Sequence, residues 1–425
     1  MSRYEIIQRL QGLNIRDAKL NLKYEATRTL ESRLCEIVQY HSIHNPLYKE
    51  KLAGLTIERF EDLPIMKKSD FQKPIETIVS DSFKKGDLYI GNTSGSSGHP
   101  FFYAKNKECH AAVHAIIERL YEKHGFSVCD KQARFYGIPS KGLSFYKEKL
   151  KDLLLNRKRF PIFDLSDNAM EEYIKTFQST KFVYVYGYTS AIVLFAKYLN
   201  KKAIKLKCIC PTLKACIVTS EVCSKEDRAT IEENLGVKVI NEYGCSEAGM
   251  IAFEDSEGVW RLIEDDSYFE VVDNDGNVLP EGAEGRLLIT NLSNKALPFI
   301  RYEVGDMVII SSDNNGRYLK ELSGRVSDVI RLPSGRIAGG LTFYYVSRSI
   351  MEETPFIKEF IVRQSKIDLF EFDVVTDSPL SESILNALQL KVDEYLEPGL
   401  TVKLNIVEKI ERPGSGKIKH FYSEI

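Results

Sequence analysis

Residues 93–98 read Thr93-Ser94-Gly95-Ser96-Ser97-Gly98, with Pro100 close behind and the apolar stretch Leu88-Tyr89-Ile90 in front. Such a run lets backbone N–H groups and hydroxyl donors converge on an anion without steric obstruction. It reads as a phosphate cradle or as an ordinary turn. Asn241-Glu242-Tyr243-Gly244-Cys245-Ser246-Glu247 closes a predicted strand. Tyr243 offers a flat face to a base, and Glu247 a hard oxygen to magnesium beside phosphates. The same residues also fit a strand-to-loop turn with a core tyrosine and a solvated glutamate. Asp306, after the glycine in Arg301-Tyr302-Glu303-Val304-Gly305-Asp306, suits a ribose diol or ends a β-turn. Two further segments are Gly324-Arg325-Val326-Ser327-Asp328 and Arg412-Pro413-Gly414-Ser415-Gly416-Lys417. The second makes an exposed loop with one lysine, a mobile cation for phosphate charge. It is not a nucleoside-triphosphate P-loop, because Ile418 stands where Ser or Thr should hold magnesium and the leading glycine is missing.

These residues need a scaffold. Residues 1–80 read as mainly helical, with Pro46 and Pro64 punctuating the loops. Residues 87–250 alternate β-rich runs with helices, which predicts a buried, largely parallel sheet. Its runs include Phe182–Tyr186, Ala215–Val218 and Val237–Tyr243. Ligands of such sheets collect at the C-terminal strand edge, so the segments ending at Ile90, Val218 and Tyr243 are candidates for it. Tyr136-Gly137, Ser140 and Gly187-Tyr188 fall at strand ends and line a pocket or cap a core. Residues 258–325 change to short strands and tight turns. There Asp273-Asn274-Asp275-Gly276 reads as a hairpin turn and lacks the spacing and terminal glutamate of a calcium loop. The tail beyond about 329 reads as a small α+β unit. The expected division is 1–327 and 328–425, with the hinge at Asp328.

With 43% hydrophobic and 28% charged residues the chain is of a globular type. A net charge of −2 gives no reason to expect nucleic acid. No apolar run approaches a bilayer span and the N-terminus lacks a signal core, so a cytoplasmic location is expected. Cys208, Cys210, Cys216 and Cys223 lack the paired C-x-x-C spacing of structural zinc, and some should pack as small hydrophobes. His110 and His114, four apart, read as a satisfied helix pair.

Five motifs in this order, from about residue 87 to 420, resemble the adenylate-forming superfamily of acyl-CoA synthetases, aryl-CoA ligases, luciferases and adenylation domains. The resemblance implies an α/β fold: a large N-terminal domain with mainly parallel sheets and a β-rich subdomain, and a small mobile α+β C-terminal domain. It implies that Thr93–Gly98 holds ATP phosphates, Tyr243 stacks on adenine within Glu242–Ser246, and Glu247 ligates Mg2+. It further implies that Ser220-Glu221 lines the nucleotide, Asp306 binds ribose, Arg325 sits near ribose and phosphates, and Lys417 is catalytic. Thr219-Ser220-Glu221 and Leu332-Pro333-Ser334-Gly335-Arg336 resemble the phenylacetate–CoA ligase branch, nearest its CapK-like members among capsule polysaccharide proteins. Phe101 replaces the lysine common after the phosphate-loop proline, Met250–Phe253 carries no cysteine, and Ala338-Gly339-Gly340 departs from the pattern of CoA-dependent members. The implied activity joins a small carboxylic acid through an acyl adenylate to CoA or a carrier thiol. An amine acceptor is the alternative, and a non-catalytic scaffold a further one. The resemblance also implies a possible homodimer.

Overall fold

The computed structural model describes residues 3–93, 101–136, 143–160, 167–325, 329–335, 337–339, 357–376, 381–410 and 421–425. Its centre is one eleven-stranded sheet. Strands β3 (Gln132–Phe135), β4 (Arg157–Phe160), β5 (Tyr184–Tyr188), β6 (Ala215–Thr219) and β7 (Lys238–Cys245) run parallel in the order β4-β3-β5-β6-β7. This is the sheet predicted from alternating strands and helices.

Helices cover both faces of this half, which is why the central strand β6 is apolar and fully buried along most of its length. One face packs Phe135, Val185, Cys216 and Val218 against the helices Thr189–Lys201 and Lys225–Leu235. The other packs Tyr184, Ile217 and Ile240 against Ile116 and Leu120 of the helix Lys107–Lys123 and against Tyr4. The helix Lys225–Leu235 shows how local sequence sets these bounds. Ser224 and Asp227 form a capping box at its start, and Gly236 at φ 72° ends it in the left-handed conformation.

The β-rich region continues the same sheet. After a tight turn, β8 (Gly249–Glu254) pairs antiparallel with β7. The sheet then runs through β9 (Trp260–Leu262), β13 (Gly316–Arg325), β12 (Tyr302–Asp313), β11 (Glu284–Asn291) and β10 (Ser267–Val272). The turn Asp273–Gly276 is the expected hairpin turn: Asp273 Oδ1 accepts from the backbone N–H groups of Asp275 and Asn277.

One expectation changes, and one, that Cys208 or Cys210 packs as a small hydrophobe, is met. The strand ending near Ile90 does not join the parallel sheet: β1 (Leu88–Thr93) pairs antiparallel with β2 (Phe101–Asn106) in a separate hairpin. Residues 94–100 therefore connect two strands, and β2, which leads into the helix Lys107–Lys123, went unpredicted. Cys208 and Cys210 lie at a short helix, Leu206–Ile209, and only Cys210 is buried. The tail follows expectation. A four-stranded sheet of β14 (Ile357–Lys366), β15 (Leu369–Thr376), β16 (Thr401–Ile406) and β17 (Phe421–Ser423) packs against the helix Glu382–Tyr395 around its own core.

Candidate functional site

Strand β7 carries the 242–247 motif, and period-two alternation sends its side chains to opposite faces. On one face Tyr243 meets β12, where its hydroxyl donates to Asp306 Oδ2 at 2.5 Å. Trp260 packs edge-on against the Tyr243 ring at 5.8 Å. Asp306 lies directly across the β12–β13 ladder from Arg325. Asp306 and Arg325, expected at a ribose, thus pair across neighbouring strands, and Tyr243, expected at its base, joins Asp306 from 63 residues earlier.

Glu247 follows the end of β7 and is 8% exposed. Its Oε1 accepts from the Tyr302 hydroxyl at 3.0 Å, a contact the sequence reading missed although Tyr302 lies in the Asp306 motif. Burial and the Glu247 charge push the Cys245 thiol well above its usual range, which keeps it protonated and unreactive. Among the described residues no group of three or more His, Cys, Asp or Glu side chains could hold a metal. A lone carboxylate still fits Mg2+, which keeps several waters and takes one or two carboxylates plus substrate phosphates.

Gly244 is required by close approach: a Cβ there would meet the Gly249 carbonyl oxygen at 2.8 Å. At Gly187 a Cβ would collide with the backbone of Phe135 on β3, so this glycine lets two strands meet and opens no pocket of its own. Ser220 is exposed at φ 70°, a left-handed conformation that a non-glycine residue rarely adopts. Glu221 turns back on the helix Thr189–Lys201, accepting from the Ser190 N–H at 2.7 Å and the Ser190 hydroxyl at 3.1 Å. It serves as that helix's N-terminal anion.

The other face of β7 carries Glu242, away from Tyr243. Its Oε1 accepts from Tyr186 at 2.8 Å and from Thr219 at 3.2 Å, and burial pushes its carboxyl up. The Tyr136 ring lies tilted against that of Tyr188 at 4.2 Å and stacked on that of Tyr186 at 6.0 Å. The Arg134 guanidinium lies 4.4 Å from the Tyr136 ring centre and 4.7 Å from that of Tyr186. Sequence reading named Tyr136 and Tyr188 but passed over Arg134 and Tyr186. The signal was there, since Arg134 shares its strand face with Tyr136 at i, i+2. Ser94–Gly98, Gly137, Ser140, Asp328 and Lys417 lie outside the described residues, and only the backbone is described for Thr93 and Arg325.

No family model matches the chain. It is 23% identical over 428 residues to Protein CapK of Staphylococcus aureus, covering 97% of this chain and 90% of that one. It is 24% identical over 450 residues to the phenylacetate-coenzyme A ligase of Thermus thermophilus, covering 94% and 96%. Its fold matches that of 2-hydroxyisobutyryl-CoA ligase in the postadenylation state with a TM-score of 0.70, at 18% identity over 92% of this chain and 88% of that one. No helix among the described residues is long and apolar enough to cross a membrane.

Proposed function

We propose that this chain, similar over most of its length to Protein CapK and to a phenylacetate-coenzyme A ligase, is an adenylate-forming enzyme that activates a carboxylic acid with ATP and passes the acyl group to a thiol. The observation that carries the reading is the meeting of Tyr243 on β7 with Asp306 on β12, opposite Arg325, beside buried Glu247.

A carboxylate is a poor electrophile because its leaving group would be oxide. When its oxygen attacks the α-phosphorus of ATP, the bond to the β-phosphate breaks and pyrophosphate leaves. The resulting acyl adenylate then loses AMP when the acceptor attacks its carbonyl carbon. Both steps depend on positioning and on neutralised phosphate charge. In this reading Thr93–Gly98 holds the β- and γ-phosphates, Asp306 the ribose hydroxyls, and Arg325 the ribose–phosphate edge. Glu247 would hold Mg2+, which supplies phosphate charge neutralisation. Lys417 neutralises the charge that develops at the α-phosphate.

ATP–pyrophosphate exchange against a broad panel of carboxylic acids tests this. Exchange with at least one acid is expected, and AMP release that follows CoA addition identifies the acceptor as CoA. AMP release driven only by an amine would replace the thiol with an amide-forming acceptor. No exchange with any acid removes the ligase reading.

A further inference from the structure

The parallel half of the sheet ends in two rows of side chains on one face. Arg134 pairs in register with Tyr186. About 7 Å further along, two residues of strand rise, Tyr188, Thr219 and Glu242 form the next row. Arg134, Tyr136, Tyr186 and Glu242 each keep part of their surface open to solvent.

The hydrogen bonding of this layer is incomplete. The Arg134 guanidinium donates from Nη1 to Gln132 Oε1 at 3.2 Å, while its buried Nε has no acceptor. No carboxylate among the described residues forms an ion pair with it. Both donors to Glu242 end on Oε1, and no described residue donates to Oε2. A buried donor left without an acceptor is costly. A ligand that accepts from the guanidinium recovers part of that cost, and the second Glu242 oxygen is open to accept from the same ligand.

From this arrangement we propose that the acyl pocket is built for a hydroxylated carboxylic acid, whose hydroxyl groups donate to Glu242 and accept from Arg134 beside the Tyr136 and Tyr186 rings. This deepens the ligase reading and rests on it for the reacting carboxylate. The two charges decide the class. A second carboxylate on the substrate would pair with Arg134 but face Glu242, and an ammonium group would face Arg134. An alkyl or aryl group would leave both edges dry and unpaired. A hydroxyl is a small neutral group that serves as donor and acceptor at one atom.

The test uses the whole chain and four acids of one length that differ only at the far end: butyrate, γ-hydroxybutyrate, succinate and γ-aminobutyrate. γ-Hydroxybutyrate should lead in kcat/KM for pyrophosphate exchange by about tenfold or more over each of the others, because a site built to bond a hydroxyl rejects analogues that lack it. In Arg134→Met and Glu242→Gln its ratio to butyrate should fall toward one, with KM rising more than kcat falls. Wild-type preference for butyrate, succinate or γ-aminobutyrate overturns the proposal, and this ranking stands even if a variant fails to fold. Equilibrium dialysis of radiolabelled γ-hydroxybutyrate separates the two readings. Arg134-dependent binding without exchange keeps the pocket assignment and removes the ligase. Exchange that favours the apolar acid keeps the ligase and removes the assignment. Neither binding nor exchange with any of the four overturns the assignment.

Discussion

His41 shows how a single buried group ties the helical N-terminal layer to the sheet that carries the site. It sits on the helix Leu30–His44 with no exposed surface, and its Nε2 donates to the Asn294 carbonyl at 2.9 Å. The Asn294 side chain donates in turn to the Ala104 carbonyl of β2. His41 Nδ1 has no partner, so protonation would place a second donor where nothing accepts it. Burial lowers its pKa to about 4. The unfolded chain takes up this proton near pH 6.5 and the folded chain does not. Stability is therefore whole above pH 6.5 and falls as the pH drops toward 4. Between pH 7.5 and 5 the loss from this group is about 2 kcal/mol. Urea unfolding at the two pH values should show His41→Gln losing about that much less than wild type. Equal losses in the two proteins would mean that His41 does not titrate in this way. His110 and His114, lowered to about 4 and about 3, act in the same direction in both proteins and cancel in the difference.

At the scale of elements, much was legible because it was written in local signals. The Ser224 capping box and Gly236 bracket the helix Lys225–Leu235, and the β-rich runs at 182–186, 215–218 and 237–243 became the neighbouring parallel strands β5, β6 and β7. What the sequence did not show depends on a partner segment rather than on local pattern. Phe101–Asn106 contains Lys105 and Asn106 and shows no clean alternation, so only its partner β1 reveals it as a strand. The resemblance implies that Glu221 lines the nucleotide, and in the fold its carboxylate reaches back to Ser190, 31 residues earlier. That contact predicts an effect on the helix. Glu221→Ala should destabilise the chain by about 1 kcal/mol through loss of the cap and its charge at the N-terminus, read from the urea midpoint. Glu221→Asp should recover part of it. If Glu221→Ala instead left stability unchanged and raised only the KM for ATP, the residue would belong to the nucleotide after all.

Across the whole molecule, the proposed function divides the chemistry between the large sheet and the tail, which has a core of its own. The residues that place the nucleotide in the proposed function lie before 326, and Lys417 lies far beyond them in sequence. A cation needed only while charge develops at the α-phosphate serves the first step. The thiol's attack on the finished adenylate does not call for it. Lys417→Ala should therefore slow carboxylate-dependent ATP–pyrophosphate exchange by about 100-fold or more, the scale of losing an electrostatic transition-state donor. Conversion of a supplied acyl adenylate to thioester, with release of AMP, should proceed near the wild-type rate. Asp328, proposed as the hinge, should show the complementary pattern. Asp328→Pro stiffens the backbone there, and if the tail must rotate between steps, it should spare exchange and slow thioester formation. Loss of both half-reactions to the same extent in Lys417→Ala would show that the lysine holds the adenylate in either step, and the division of labour between sheet and tail would fall with it.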